Sequence, residues 1–171
     1  MSILTRPATL GDARTIATIH VRSWQIGYAE IMPAALLEGL SVDARETRWR
    51  DQLARGDGDL WLAEEDGRAL GWILTGPSRD DDRHASTGEL HALYVHPDSW
   101  RRGAGALLWR GGEERLRQAA MTEVTAWVLA ENERALRFYR SVGFAIDPDV
   151  ERTVAMGGVQ LAHLRVRKRL P

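Results

Sequence analysis

The sequence predicts an α/β domain with one central, twisted, mixed sheet flanked by helices, and three observations indicate it. Two apolar runs surround Asp66-Gly67, which is the pattern of an antiparallel hairpin. The strand-like runs "ELHALYV" and "EVTAWVLA" are each followed by a helical pattern, as in a parallel β-α-β crossover. A second pair of strand-like runs surrounds Gly157-Gly158. No linker, repeat or low-complexity tract is visible, so residues 1–171 are expected to form a single domain.

The first third of the chain is expected to contain one strand and then helices. Thr9 and Asp12 form a capping-box pattern, which marks the start of a helix. Apolar residues follow at helical spacing until Gly27 ends the run. The predicted elements are a strand at 3–7 and helices at 13–27, 33–39 and 43–53.

The remainder alternates strands and helices around a polar, acidic loop, "SRDDDRHASTG". Gly143 is placed to cap the last helix at its carboxyl end. The arginines at 165, 167 and 169 alternate with other residues near a strand end, and we expect them to form a solvated face. The predicted elements are hairpin strands within 59–77, a strand at 89–95, a helix at 105–119, a strand at 123–130, a helix at 132–143 and two strands in the tail.

Composition excludes several classes of function. Lysine and arginine total 23 against 24 acidic residues, so no overall field favours nucleic acid or an anionic membrane. The chain has no cysteine, which excludes disulfides, thiolate metal sites and a cysteine nucleophile. No apolar run is long enough to span a bilayer, and the amino-terminal residues do not read as a signal peptide. We therefore expect a cytoplasmic protein without a nucleic-acid or membrane partner.

The stretch "WRRGAGALLW", residues 100–109, places arginines and glycines where a helix begins. The unpaired N–H groups of a helix start attract anions, and glycine lets a ligand approach the backbone. A glycine-eased loop before an ordinary helix is the alternative interpretation. A nucleoside-triphosphate loop with its Gly-Lys-Ser/Thr ending is absent, and a dinucleotide fingerprint would need a small residue where Leu108 stands. The pattern Gln/Arg-x-x-Gly-x-Gly/Ala of acetyltransferases fits except at Trp100.

Two longer segments carry a family resemblance. "LYVHPDSWRRGAGALL" followed by "VLAENERALRFYRSVGF" resembles the GNAT superfamily of N-acetyltransferases, and so does the early "RPATLGDARTIATIHVRSWQIGYAEIMP". The resemblance implies a GNAT-like acyl-CoA N-acyltransferase fold. It also implies transfer of the acetyl group of acetyl-CoA to a primary amine of a small molecule or peptide, without a metal. The alternative is a catalytically silent acyl-CoA-binding sensor or interaction module, and a homodimer stays open.

The resemblance also implies which residues hold the cofactor. The strand at 93–95 would pair with the pantetheine arm, the loop at 101–106 would hold the pyrophosphate, and Asn132 would contact the pantetheine or phosphate arm. The alternative is that Asn132 is only a helix cap and Phe138 only a core residue. The cofactor-binding residues implied are Leu93, Tyr94, Val95, Arg101, Arg102, Gly103, Ala104, Gly105, Ala106, Asn132, Ala135 and Phe138.

Amine acetylation requires a base for the amine and an acid for the departing thiolate. Without a cysteine or a Gly-x-Ser-x-Gly elbow, direct transfer is simpler than a covalent acyl-enzyme. The resemblance places Tyr139 at the sulfur as the acid and Glu89 as the base. His91 is a second base candidate, because alternation puts it on the face of Glu89 and the pKa of an imidazole is better matched to the task. Core packing and a solvated strand are the alternatives. Strand alternation predicts that Glu89, His91, Leu93 and Val95 share one face.

A segment near the first helix is expected to form the acceptor site. The loop after the first helix resembles the acceptor wall of the family, where aromatic surfaces and a carboxylate suit a cationic amine. The residues implied are Trp24, Tyr28 and Glu30, with His91 nearby. Burial in the core is the alternative for each of the aromatic residues.

Overall fold

A computed structural model describes residues 2–171. Its strands are β1 (Leu4–Pro7), β2 (Asp59–Glu65), β3 (Arg68–Pro77), β4 (Thr87–Val95), β5 (Glu123–Leu129), β6 (Ala145–Met156) and β7 (Val159–Arg169). Its helices are α1 (Ala13–Gly27), α2 (Ala34–Glu38), α3 (Val42–Arg55), α4 (Ala104–Gln118) and α5 (Glu133–Ser141). The strands form one sheet in the order β1-β2-β3-β4-β5-β7-β6. Within the described residues β4 and β5 are parallel and the other neighbours are antiparallel, which confirms the predicted mixed sheet.

The local signals in the sequence account for where these elements begin and end. In the β2–β3 turn Asp66 and Gly67 both have positive φ, 51° and 77°, the backbone shape of a type I′ hairpin. Gly157 and Gly158 do the same between β6 and β7, with φ of 59° and 81°. Asp12 accepts from the Thr9 amide at 2.7 Å, so the capping box is present. Each predicted helix and strand is therefore found, with ends that agree within about two residues.

One bulge decides which way β4 presents its side chains. The β3–β4 register passes from Leu74 opposite Ala92 to Thr75 opposite Leu90, so His91 is an extra residue in β4. Such a residue reverses the alternation of faces beyond it. Leu90, Leu93 and Val95 consequently pack on the side of α4 and α5, whereas Ala92 and Tyr94 pack towards α1. The prediction that Glu89, His91, Leu93 and Val95 share a face is wrong for this reason.

The two parallel strands separate soon after they meet. β4 and β5 pair only from Thr87–Glu89 to Glu123–Thr125. Beyond that point β4 stays with β3 and β5 stays with β7. A fork therefore opens in the middle of the sheet, with α4 and α5 following the two diverging strand ends.

A charged network fixes the acidic loop between β3 and β4 to the sheet. Arg165 in β7 is 4% exposed and donates to Asp82 at 2.6 and 2.8 Å and to Asp147 at 2.7 Å. Asp80 lies 3.4 Å from the same guanidinium and accepts a hydrogen bond from the indole of Trp127 at 2.8 Å. The expectation of a solvated face is wrong for Arg165, because this side chain is buried and paired with carboxylates. Those partners are distant in the sequence, so the local pattern could not indicate them.

His20 on α1 is a buried base and gives a testable pH dependence. Its ring stacks on Tyr94 at 4.8 Å and accepts from the Trp49 indole at 3.3 Å. Burial, assisted by the charge of Arg45, lowers the pKa of His20 to about 3. The unfolded chain binds a proton there below about pH 6.5, so between these pH values the unfolded state holds more protons.

The free energy of unfolding is therefore expected to decrease as the pH falls from about 6.5 towards 4. His20→Phe keeps an aromatic ring and should lose this part of the pH dependence, which denaturant titrations at several pH values measure. His84→Gln changes a histidine of the exposed loop and serves as the control. An unchanged slope in His20→Phe would contradict the assignment.

Candidate active site

A cleft of about 470 Å³ occupies the fork between β4 and β5. Residues from both faces of the sheet line it. On the side of α4 and α5 it is lined by Leu93, Val95, Phe138 and Tyr139, which belong to the packing cluster of that face. On the side of α1 and α2 it is lined by Trp24, Tyr28, Met32 and Met156. Side chains of both faces of the sheet thus border one cleft.

The amino terminus of α4 forms one wall of the cleft. Gly103 has φ +88°, a left-handed conformation that side chains rarely adopt, and Ala104 then begins the helix. A Cβ on Gly105 would lie 3.4 Å from Phe138 and 3.6 Å from Val95. Glycine at this position leaves that space at the wall of the cleft unfilled. The unpaired amides of this first turn suit an anion.

The arginines of this loop differ in their surroundings. Arg101 lines the cleft, whereas Arg102 forms an ion pair with Glu65 of β2 and is not among the lining residues. The prediction that Arg102 contacts the cofactor therefore has no support in the geometry.

A cation that the sequence analysis missed takes a place in the wall. The guanidinium of Arg134, in the first turn of α5, lies 3.6 Å from the centre of the Trp100 ring. The indole of Trp100 in turn donates to the Val95 carbonyl at 2.7 Å. Arg134 lines the cleft and has no carboxylate partner among the described residues. One feature of the sequence could have indicated this cation. Trp100 stands where the loop pattern has Gln or Arg, and a cation from elsewhere in the chain can supply the same charge.

Asn132 and its helix complete the same side. The Asn132 side chain accepts from the Ala135 amide at 3.0 Å, so it is an N-cap, as the structural alternative proposed. It is also 7% exposed and lines the cleft. Of the cofactor-binding residues expected, those that line the cleft are Leu93, Tyr94, Val95, Arg101, Gly103, Ala104, Gly105, Ala106, Asn132, Ala135 and Phe138.

Tyr139 lies in the cleft on the α5 side. Its ring packs edge-on against Phe144 at 5.2 Å and Phe138 at 5.8 Å. Burial raises the pKa of the Tyr139 hydroxyl, with a smaller contribution from Tyr94. The group therefore remains a phenol at neutral pH and keeps a proton to donate.

The two base candidates have different environments. Glu89 is 3% exposed, is not among the cleft-lining residues, and pairs with the Arg79 guanidinium at 2.6 Å. Burial alone raises the pKa of this carboxyl, but the hydrogen bonds from Arg79 outweigh it and hold the pKa below its ordinary value. A carboxylate so paired is a poor proton acceptor.

His91 does line the cleft, because the bulge in β4 turns it there. Its Nε2 lies 3.1 Å from the Pro77 carbonyl. A carbonyl only accepts, so Nε2 carries the hydrogen and Nδ1 keeps a lone pair. Burial lowers the pKa of His91, and the Pro77 carbonyl and the Glu89 charge partly oppose this. The ring is neutral at neutral pH and available as a base.

The opposite face supplies an aromatic wall. Trp24 and Tyr28 line the cleft, as expected, and the Trp24 indole donates to the Tyr94 hydroxyl at 2.9 Å. Glu30 is exposed and not among the lining residues, so the expected carboxylate is missing from this wall. Trp127 and His163 line it from β5 and β7 and were not predicted, because only the strand register brings them next to the fork.

Among residues 2–171, no group of three or more histidine or acidic side chains could hold a metal ion. The helices in that range include none long and apolar enough to cross a membrane.

Comparisons with known proteins agree on one family. The sequence profile of the acetyltransferase (GNAT) family matches residues 20–144. An uncharacterized N-acetyltransferase of Bacillus subtilis, YuaI, is 30% identical over 93% of this chain and 88% of its own length. A probable N-acetyltransferase of Mycobacterium tuberculosis, Rv2775, is 27% identical over 97% of this chain and 93% of its own length. The PaiA N-acetyltransferase of Thermoplasma acidophilum, crystallised with coenzyme A, superposes with a TM-score of 0.76 over 99% of both chains at 21% identity, which is a likeness of fold.

Proposed function

The chain belongs to the GNAT family of acetyltransferases, and from this premise we propose that it transfers the acetyl group of acetyl-CoA directly to a primary amine. The observation that carries the proposal is the cleft through the fork. One side offers the first turn of α4 and a protonated Tyr139, and the other offers an aromatic wall beside a neutral His91. These are the groups that a thioester and an amine need when they meet from opposite faces.

In this proposal acetyl-CoA enters from the side of α4 and α5. Its pyrophosphate lies at the first turn of α4, where Gly103 and Gly105 let it approach the backbone. Its pantetheine arm follows the edge of β4 that β5 leaves unpaired, and Asn132 borders the arm. The thioester then lies in the fork near His91 and Tyr139.

The reaction is a single displacement. The amine nitrogen attacks the thioester carbonyl carbon, and its proton passes to Nδ1 of His91. The tetrahedral intermediate then collapses with cleavage of the carbon–sulfur bond. Tyr139 gives a proton to the departing thiolate, so the products are the acetamide and the free thiol of coenzyme A. Glu89 positions and stabilises the protonated His91 from 3.8 Å.

The test is thiol release from acetyl-CoA in the presence of a panel of primary amines, with the acetylated product identified by mass spectrometry. Because the protein has no cysteine, a thiol reagent reports coenzyme A alone. Amine-dependent release supports the proposal. Binding of acetyl-CoA without release for any amine would favour the acyl-CoA sensor instead.

We assign Arg134 to the cofactor phosphates because it is a cation that lines the cleft. Trp100 holds the guanidinium at the cleft by a cation–π contact, and Glu65 neutralises Arg102. Arg101 and Arg134 are therefore the arginines at the cleft that can meet an anion.

We expect Arg134→Gln to weaken coenzyme A binding by about 10- to 100-fold, the effect of one charge-assisted contact, and to change pantetheine binding little. Arg137→Gln removes an exposed arginine of the same helix, paired with Glu133, and is the control. Isothermal titration of both ligands measures the difference. Equal losses for coenzyme A and pantetheine would remove the phosphate assignment.

A further inference from the structure

The half of the cleft that faces α1 and α2 has an unusual composition for an amine site. Apart from the Ser23 hydroxyl its lining is aromatic, apolar or imidazole, and none of the described residues that line the cleft is an aspartate or a glutamate. A polycationic acceptor would therefore bury its charges without a counter-ion, which is costly. Lining residues on this face include Trp24, Tyr28, Met32, His91, Trp127 and His163.

The acidic groups behind this wall are already compensated. Glu89 is paired with Arg79. Asp80 accepts from the Trp127 indole at 2.8 Å and lies 3.4 Å from Arg165. Neither carboxylate lines the cleft, so neither is placed to receive an ammonium group.

A cation stands at the edge of the same wall. The Arg152 guanidinium, from β6, lies 4.1 Å from the centre of the Trp127 ring. Arg152 pairs in register with His163, which lines the cleft. No described side chain forms an ion pair with it. Burial lowers the pKa of Arg152, while the charges of Asp80 and Glu89 partly oppose this. Arg152 is not itself among the lining residues, but its contact with Trp127 and its register with His163 place it at the border of the cleft, where it can accept an anion.

We propose that the acceptor is a small amine that also carries a carboxylate and an apolar or aromatic side chain, the chemistry of an apolar α-amino acid. Its carboxylate pairs with Arg152, its side chain lies against Trp24, Tyr28 and Trp127, and its amine faces His91. This inference rests on the proposed acetyl transfer. It names the acceptor class that the residues of this wall select.

The kinetic test compares L-phenylalanine, L-phenylalaninamide and spermidine as acceptors. Wild-type kcat/KM should be about 10- to 100-fold higher for L-phenylalanine than for its amide, since the amide lacks the carboxylate. Arg152→Gln should lower the value for L-phenylalanine by a similar factor and leave the amide nearly unchanged. Arg137→Gln, on the surface of α5, should change neither. Spermidine or the amide as the better acceptor would overturn the inference while leaving acetyl transfer intact.

A binding test does not depend on turnover. N-acetyl-L-phenylalanine and N-acetyl-L-phenylalaninamide are titrated calorimetrically into the protein saturated with coenzyme A. The carboxylate form should bind about 10- to 100-fold more tightly, and Arg152→Gln should abolish the difference. Equal binding of the two forms by the wild type would overturn the inference. Carboxylate-dependent binding without thiol release would keep the acceptor class and refute the proposed transfer.

Discussion

Tyr139→Phe is expected to reduce turnover by about 10²- to 10⁴-fold, the range for loss of a general acid. The variant keeps the ring and therefore its edge-on contacts with Phe138 and Phe144. It removes the hydroxyl, which burial keeps protonated because its pKa is raised. Cofactor affinity should change little, since the proposed phosphate site at the first turn of α4 is untouched.

Steady-state kinetics with a responsive acceptor, together with coenzyme A titration, measure this prediction. The same change at Tyr28 provides a comparison, because Tyr28 lies on the acceptor face. Tyr28→Phe should raise the acceptor KM more than it lowers kcat. Wild-type turnover in Tyr139→Phe would remove the acid from the mechanism.

His91→Gln is the second large effect. We expect turnover at neutral pH to fall by about 10²- to 10⁴-fold, because glutamine retains a polar group beside Pro77 but cannot take a proton. In the wild type the rate should rise with pH through an acidic limb that reflects neutralisation of His91. Burial lowers the pKa of this histidine, so that limb lies below its ordinary range. The limb should be absent in His91→Gln.

Glu89→Gln separates the two base candidates. The Glu89 charge raises the pKa of His91, so its removal should move the acidic limb to lower pH and reduce turnover less than His91→Gln does. If Glu89 were itself the base, Glu89→Gln would carry the larger loss, and partial rescue at high pH would follow. A pH–rate profile of the wild type and both variants decides between these outcomes.

The elements of this fold could be predicted from sequence because their signals are local. Thr9 and Asp12 predict the start of a helix, and Asp66-Gly67 predicts a hairpin. Each signal lies within a few residues of the element that it predicts. The glycine loop before α4 could be predicted from the sequence for the same reason. Its anion-binding geometry follows from one left-handed glycine and the start of a helix.

The features that could not be predicted from the sequence depend on pairing between distant segments. The bulge at His91 arises from the match of β3 to β4, so the face of each β4 residue could not be counted from alternation. Arg102, which was expected to contact the cofactor, forms an ion pair with Glu65, which lies 37 residues earlier. Trp127 and His163 enter the cleft only because β7 lies beside β5. Each of these features depends on a residue that is distant in the sequence, and no local pattern identifies that residue.

The fork has a consequence for which shapes of molecule the protein admits. Where β4 leaves β5, the sheet has an edge inside the protein, with backbone groups that no strand satisfies. Edges of this kind on a surface invite pairing with foreign strands. Here α1 and α5 border the opening, and Ser23 and Trp100 already occupy the Val95 carbonyl. We expect a slender, extended chain with amides of its own to fit this bordered edge better than a strand of another protein, so the border selects partners by their shape.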